Sequence, residues 1–296
     1  MRFTLITIGS TGDVRPYLCL GRALRERGHE VTICAFADFE RIVVEQGFRF
    51  APLCGNARAF MSSVMKPGTI GLGFLRQLRA SLAAVIHPLL RDMMAACEGA
   101  EVIVSTYFGG IAQSIAEKNR VPFIQTHFYP MDYNTLTPIA AAPMLRANRT
   151  WSKMSYKMGY LIINMLEKYY LSDWRREQGM SPRHLNSGPC YQLNGHTIPV
   201  LYAMSPLLMP RPREWGANIH MTGFWLDDAA PDFAPEPALE EFLREGEKPI
   251  YIGFGSMLSG DMTQTLSIIL QAVRRAGVRA IISTGWGGAV IPPQEN

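Results

Sequence analysis

The chain opens on a largely apolar run, Phe3–Ile8, which passes at once into the loop Gly9-Ser10-Thr11-Gly12-Asp13-Val14-Arg15-Pro16. A short apolar run bounded by glycine reads as a strand buried on both faces, and such strands belong to parallel sheets covered by helices. From Val14 onward apolar residues recur at Tyr17, Leu18 and Leu24, with Gly21 on the same face and Arg22, Arg25 and Glu26 mostly opposite. That spacing predicts a helix, and Gly28 is placed to stop it. In parallel sheets ligands bind beyond the carboxyl ends of the strands, which is where this loop lies. It is not G-x-G-x-x-G, so the nicotinamide and flavin fingerprint is absent.

The alternation continues. Val31–Phe36 reads as a strand, Phe39–Gln46 as a helix and Phe48–Ala51 as a short strand. Leu75, Leu78, Leu82, Val85, Leu89 and Met93 form a long helical stripe. Val102–Ser105 and Phe123–Thr126 are further strands, separated by a helix over Ile111–Lys118. A second long helix spans Trp151 to about Arg176, and Val200–Tyr202 is expected as the last strand of this half. Pro231 to Pro237 is rich in proline and acid and reads as a linker. Beyond it Pro249–Phe254, Thr263–Ala276 and Arg279–Ser283 repeat the strand–helix–strand pattern. Strands alternating with helices imply right-handed crossovers and a parallel sheet in each half. The expected domains are 1–226, a linker 227–247, and 248–296 as the start of a second domain.

At 296 residues, nearly half of them apolar, the chain can bury a large core. A net charge of +4 without a dense lysine or arginine block gives no nucleic-acid surface. The five cysteines are widely spaced, without a C-x-x-C pair, which suggests neither a zinc site nor a disulfide framework and fits a cytoplasmic chain. The N-terminal apolar run leads into a glycine loop rather than a small-residue cleavage site. No H-E-x-x-H or carboxylate cluster points to a metal.

Asp13 has two readings. One is a helix N-cap, with Pro16 tolerated in the first turn. A carboxylate in that place is held ionised by the helix dipole and is a weak base at rest. The other is a general base that takes a proton from an acceptor hydroxyl. His127, Phe128 and Tyr129 end a strand and are placed to line an acceptor pocket, although a lone histidine there is more often structural. Ser105 and Thr106 end another strand and could orient a substrate hydroxyl. The stripe Trp151, Met154, Met158, Leu161, Met165 and Tyr169 reads first as core. A greasy acceptor channel or a face resting on a membrane is the lesser reading, with Lys153, Lys157 and Lys168 nearby.

The G-S-x-G-D-V-x-P loop after a first strand resembles the glycosyltransferases of families 1 and 28, within them the sterol glucosyltransferases and antibiotic-modifying enzymes. Arg27-Gly28-His29-Glu30-Val31-Thr32 is similar to the family's R-G-H-x-V-T turn. Tyr251-Ile252-Gly253-Phe254-Gly255-Ser256-Met257 is similar to the strand and loop that open its second domain, and Ser283-Thr284-Gly285-Trp286-Gly287-Gly288 to the segment after it. The resemblance implies the α/β GT-B fold, two Rossmann-like domains with parallel sheets, here with the second incomplete. It implies transfer of a hexose from a nucleotide diphosphate sugar, expected to be UDP-hexose, to a hydroxyl of a lipid-like, sterol-like or polycyclic acceptor. Inversion is expected, with no metal and no cofactor beyond the sugar nucleotide. Asp13 takes the place of the family's base. Gly12, Gly255 and Ser256 are expected at the donor, and Ser10, Thr11, Thr106, His127 and Tyr129 at the acceptor. Peripheral contact with a membrane is allowed.

The family's histidine- and glycine-rich donor stretch, H-x-G-x-G-T, is nowhere in the chain. The expectation is therefore a fragment of a longer enzyme. The alternative is a non-catalytic acceptor-binding or partner protein that keeps only the first domain.

Overall fold

The computed structural model describes residues 1–59, 86–106, 109–139, 148–182, 189–226, 234–256 and 262–287. The chain divides into two compact units, Met1–Ala57 with Leu75–Asp227, and Arg58–Phe74 with Asp228–Asn296.

The first unit is built on β1 (Arg2–Ile6), β2 (Glu30–Phe36), β3 (Arg49–Leu53), β4 (Val102–Ser105) and β5 (Phe123–His127). Between β5 and the next sheet strand lies a small hairpin, β6 (Gln192–Leu193) and β7 (His196–Thr197), turned at Asn194 and Gly195, both at positive φ. β8 (Val200–Tyr202) and β9 (Ile219–Met221) complete a sheet of order β3-β2-β1-β4-β5-β8-β9, with every neighbouring pair parallel. Leu5, Ile6, Ile33, Ile103 and Val104 are fully buried, as strands covered on both faces require. The strand at Val200–Tyr202 is not the last of this half: β9 pairs beyond it. Ile219 joins Val200, Tyr202, Met204, Met209 and Trp215 in a separate buried cluster.

Helix α1 (Thr11–Glu26) begins three residues before the apolar periodicity does. It buries Val14, Tyr17, Leu18 and Gly21. A Cβ on Gly21 would stand 2.9 Å from the Phe48 ring, so the helix lies close against that side chain. Gly28, at φ +81°, closes the helix as expected: its N–H bonds Arg25 O and the His29 N–H bonds Leu24 O. α2 (Glu40–Glu45) lies within the helix expected at Phe39–Gln46, and a 3-10 turn (Ala37–Phe39) leads into it. Of the stripe from Leu75 to Met93, Leu75, Leu78, Leu82 and Val85 lie outside the described residues. Residues 86–96 are helical, with Leu89 and Met93 buried.

Helix α3 (Gly109–Asn119) joins β4 to β5, and α4 (Arg149–Glu177) is the long helix of this half. The Oδ1 of Asn148 caps α4, accepting the Trp151 N–H at 2.8 Å. The face buried by α4 mixes polar and apolar side chains. It consists of Ser152, Ser155, Tyr156, Tyr170, Leu171, Trp174 and Arg175. Met154, Met158, Leu161, Met165 and Tyr169 are 46–57% exposed. The first reading of that stripe as core is therefore overturned for these five residues: the helix instead buries Leu171, Trp174 and two tyrosines together with two serines and Arg175.

In the second unit, α5 (Pro237–Arg244) starts with proline in its first turn and falls within the stretch read as linker. Residues 227–233 of that stretch lie outside the described ones. β10 (Ile250–Gly253), α6 (Met262–Ala276) and β11 (Ala280–Ser283) follow, with β10 and β11 parallel in the register Ile250↔Ala280. The guanidinium of Arg279 stacks 4.0 Å from the Phe242 ring centroid and donates to the carbonyls of Phe242 and Glu247, which ties α5 to β11.

Ile103 lies in the central strand and is fully buried, whereas Val44 on α2 is 52% exposed. Ile103→Ala is expected to lower unfolding free energy by about 2–5 kcal/mol, and Val44→Ala by about 0.5 kcal/mol or less, in urea denaturation.

Candidate active site

The loop after β1 decides where the Asp13 carboxylate goes. Ser10, extended at φ −101° and ψ −173°, is the N-cap of α1, and Asp13 is the third helical residue. Asp13 is thus not the cap itself, and the cap reading is corrected. Its side chain turns back, and Oδ2 accepts the Ser10 N–H at 2.6 Å and the Ser10 hydroxyl at 3.2 Å. This is the reciprocal arrangement of a capping box with aspartate in the third position. The Thr7 hydroxyl, fully buried, donates to the Asp13 carbonyl at 3.0 Å. Gly9 permits the geometry, since a Cβ there would lie 2.1 Å from Oδ2. Pro16 sits in the second turn, inside the helix, and has no N–H for the carbonyl of Gly12.

Burial raises the Asp13 pKa above the ordinary carboxylate value, and the two bonds from Ser10 oppose the rise without cancelling it. The expected weak base of a dipole-held carboxylate is therefore shifted in the basic direction. Asp13 is only half-buried, so an acceptor can reach it.

Three strands bring further groups to the same edge. Ile6 pairs with Ser105, and Ser105 with Gln125. Ser105, Thr106, Thr126 and His127 are all buried there. Thr126 is satisfied by the Tyr17 hydroxyl at 2.5 Å. By contrast Ser105 Oγ, Thr106 Oγ1 and His127 Nδ1 are buried with no hydrogen-bond partner. An unpaired buried polar atom costs about 1–3 kcal/mol, so three at one sheet edge mark a place where hydroxyl groups of a ligand would be welcome. Tyr17 packs edge-on against Phe128 and Trp225, at centroid distances of 5.8 and 6.3 Å, giving this edge an aromatic wall. Tyr129, beyond His127, is 37% exposed.

Burial holds His127 below the usual imidazole pKa although Asp132 pulls the other way, so the ring is neutral near pH 7. Asp132 Oδ2 is 4.0 Å from Nε2. A proton on Nε2 faces that carboxylate and leaves Nδ1 as an acceptor for a hydroxyl. Asp132 itself is buried and caged by tyrosines. Its Oδ2 accepts the Tyr202 hydroxyl at 2.7 Å, and its Oδ1 accepts those of Tyr160, at 3.1 Å, and Tyr191. The Tyr202 oxygen in turn accepts the N–H groups of Met131 and Asp132 at 3.0 and 2.8 Å. The loop that follows His127 is thereby fixed to β8 and α4.

Ser10, Asp13, Thr106 and His127 thus gather at the carboxyl edge of the first sheet, with Thr11 half-buried and Gly12 exposed at the start of α1. Ser10 is committed to Asp13 by both its N–H and its hydroxyl. A Cβ on Gly12 would meet nothing nearer than Ser10 Oγ at 3.8 Å, so the fold itself does not demand glycine there. Gly255 and Ser256 follow β10 in the second unit, where Gly255 O accepts the Trp286 N–H at 2.9 Å. Tyr17, Trp225 and Asp132 were not foreseen. In the sequence Tyr17 is an apolar position on a helix, and nothing in linear spacing joins it to Trp225. Among the described residues, no group of three or more His, Cys, Asp or Glu side chains could hold a metal ion.

The family model of the glycosyltransferase family 28 N-terminal domain matches residues 3–136. The matched span contains Ser10, Asp13, Thr106, His127, Tyr129 and Asp132, while Trp225 and the tyrosines around Asp132 lie outside it. Sterol 3-beta-glucosyltransferase of Debaryomyces hansenii is 32% identical over 291 residues, which are 96% of this chain and 18% of that protein. The enzyme of the same name from Yarrowia lipolytica is 30% identical over 292 residues, 97% of this chain and 20% of that one. The chain therefore spans about a fifth of the length of these curated relatives. Among solved structures, CalG4, the calicheamicin glycosyltransferase, superposes with a TM-score of 0.61 at 14% identity, covering 99% of this chain and 69% of that one. SsfS6, a glycosyltransferase of Streptomyces sp. SF2575, gives 0.57 at 15% identity, covering 96% and 68%. The fold is GT-B.

In the first unit, Gly9→Ala is expected to drive the Asp13 carboxylate away from Ser10. Loss of that charge-assisted bond should lower stability by about 1.5–3 kcal/mol, measured by urea denaturation.

Proposed function

We propose that the protein is a hexosyltransferase in which Asp13 is the general base. The acceptor oxygen attacks the anomeric carbon of a nucleotide diphosphate sugar, the bond from that carbon to the diphosphate breaks, and the acceptor proton passes to Asp13. Attack opposite the leaving group inverts the anomeric centre. The observation that carries this reading is a half-buried carboxylate of raised pKa, fixed by Ser10 at the carboxyl edge of a parallel sheet. The unpartnered Ser105, Thr106 and His127 atoms would orient the acceptor hydroxyl, and Phe128 and Trp225, backed by the buried Tyr17, would take an apolar ring system. A sterol-like or polycyclic acceptor suits that wall, in keeping with the names of the sterol 3-beta-glucosyltransferases. UDP-hexose is the donor in this proposal, with the Gly255 backbone and the Ser256 hydroxyl at its diphosphate and no metal or cofactor needed. The setting would be cytoplasmic.

In the full-length gene product, Asp13→Asn should lower kcat by about 10²–10⁴-fold, with sugar-nucleotide affinity nearly unchanged. Initial rates of transfer to a sterol and calorimetric titration of UDP-hexose check the two parts. Unchanged turnover would remove Asp13 as base.

The pH profile gives a second test. A base must be ionised, so the acid limb of kcat/KM should lie above the ordinary carboxylate pKa because burial raises that of Asp13. The Ser10 hydroxyl favours the ionised form, so Ser10→Ala should move the limb to still higher pH. A limb that stays in place or moves down would contradict the assignment.

A further inference from the structure

Helix α4 carries apolar side chains on both faces. Its inner face buries Leu171 and Trp174 beside polar groups that are hydrogen-bonded within the chain. The Ser152 hydroxyl reaches the carbonyls of Asn134 and Thr137 at 2.5 and 2.7 Å, and Tyr156 accepts from Asn134 Nδ2 at 2.7 Å. Ser155 accepts the Ile139 N–H at 3.1 Å, and Arg175 forms a bidentate pair with Glu117 at 2.9 and 3.0 Å. Its outer face carries Met154, Met158, Leu161, Met165 and Tyr169, each about half exposed. Their steps of three and four residues keep them within about a quarter of the circumference, over roughly four turns.

A helix that buries serines and leaves methionines outside gains nothing from water on that face. The border of the stripe indicates what meets it. Lys153, Lys157 and Lys168, all exposed, follow one side of it. The acids nearest along the helix are otherwise engaged. Glu167 accepts the Gly110 N–H at 3.1 Å, and Asp173 pairs with Arg176 at 2.8 Å. A second copy of the chain would bring three more lysines to the same border, whereas an anionic lipid surface brings the opposite charge. Among the described residues no helix is long and apolar enough to cross a membrane, so the helix would lie on the surface rather than span it.

We propose that the outer face of α4 docks on an anionic membrane surface, with its apolar stripe at the headgroup–acyl boundary and the three lysines on the headgroups. Lysine stems lie along apolar surface while their ammonium groups stay in the polar layer. This surface is separate from the Asp13 site, and its test needs no transfer assay.

The test is sedimentation of the full chain with vesicles of phosphatidylcholine alone or with about 30% phosphatidylserine, at low and high salt. Binding is expected to the anionic vesicles and to fall with salt. Replacing all three lysines (K153A, K157A, K168A) should weaken it on the order of 10–100-fold. Met158→Asp combined with Leu161→Asp should abolish it. Val44→Asp, an equally exposed apolar position on α2, should leave it unchanged. Far-UV circular dichroism of each variant confirms that the fold is kept. Equal binding to neutral and anionic vesicles, or full binding by the folded Asp pair, overturns the proposal. So does light scattering that shows a dimer abolished by the Asp pair, which would assign the stripe to a second copy.

Discussion

A carboxylate at the third residue of a helix normally points outward along the first turn. In this chain Asp13 folds back until Oδ2 reaches the Ser10 N–H, and it occupies the space that a side chain on residue 9 would need. Much of the site depends on this one contact. It starts α1 at Thr11, and that start sets Tyr17 against Thr126, Phe128 and Trp225. It also holds the carboxylate where burial raises its pKa. A capping bond alone would lower the pKa; burial alone would leave the side chain unplaced. The two together give a carboxylate that is positioned and more basic than one in water.

The acceptor side is arranged on a different principle. Asp132 meets three tyrosine hydroxyls from α4, the hairpin region and β8, and the Tyr202 oxygen meets two backbone N–H groups. Such a network is costly if any member is missing, because each hydroxyl or N–H would be left buried and unpaired. It fixes the loop after β5, and with it the orientation of His127. Full satisfaction of Asp132 stands beside the unsatisfied Nδ1 of His127 and hydroxyls of Ser105 and Thr106. Polar groups that serve the fold are paired within the chain, and those at the sheet edge are left open.

Much of this was legible in the residues. The strands buried on both faces were found almost to their ends, since a run such as Val102–Ser105 has no other comfortable environment. The start of α1 was misplaced because Ser10-x-x-Asp13 has the form of a capping box, and Asp13 was weighed as the cap in place of its third-position partner. The hairpin carried its own sign in Asn194-Gly195, a pair suited to two successive positive-φ residues. β9 has three residues with only Ile219 buried, too little pattern to stand out. The stripe on α4 was seen at the right spacing and assigned to the wrong side. Periodicity defines a face, but which face turns inward depends on partners such as Asn134, Thr137 and Glu117 from elsewhere in the chain. For the same reason Asp132 and its tyrosines, and Tyr17 with Trp225, became visible only once the strands were assembled.

The two helix starts beside the candidate site bear on what the first unit can recognise. Helix N-termini attract anions, and those that follow β1 and β4 would ordinarily favour a phosphate. At each, one N–H is met from within the chain: Asp13 accepts the Ser10 N–H at the start of α1, and Glu167 accepts the Gly110 N–H at the start of α3. A Cβ on Gly110 would lie 2.0 Å from the Glu167 carboxylate, so this contact is as close as the one beneath Gly9. A diphosphate brought to either helix start would meet a carboxylate that already holds one of its N–H groups. A neutral molecule bearing a hydroxyl meets no like charge there. It finds unpaired acceptors and donors at Ser105, Thr106 and His127 and an aromatic wall beside them. At this edge the first unit thus offers its open polar atoms and its aromatic wall to a hydroxyl-bearing, largely apolar ligand.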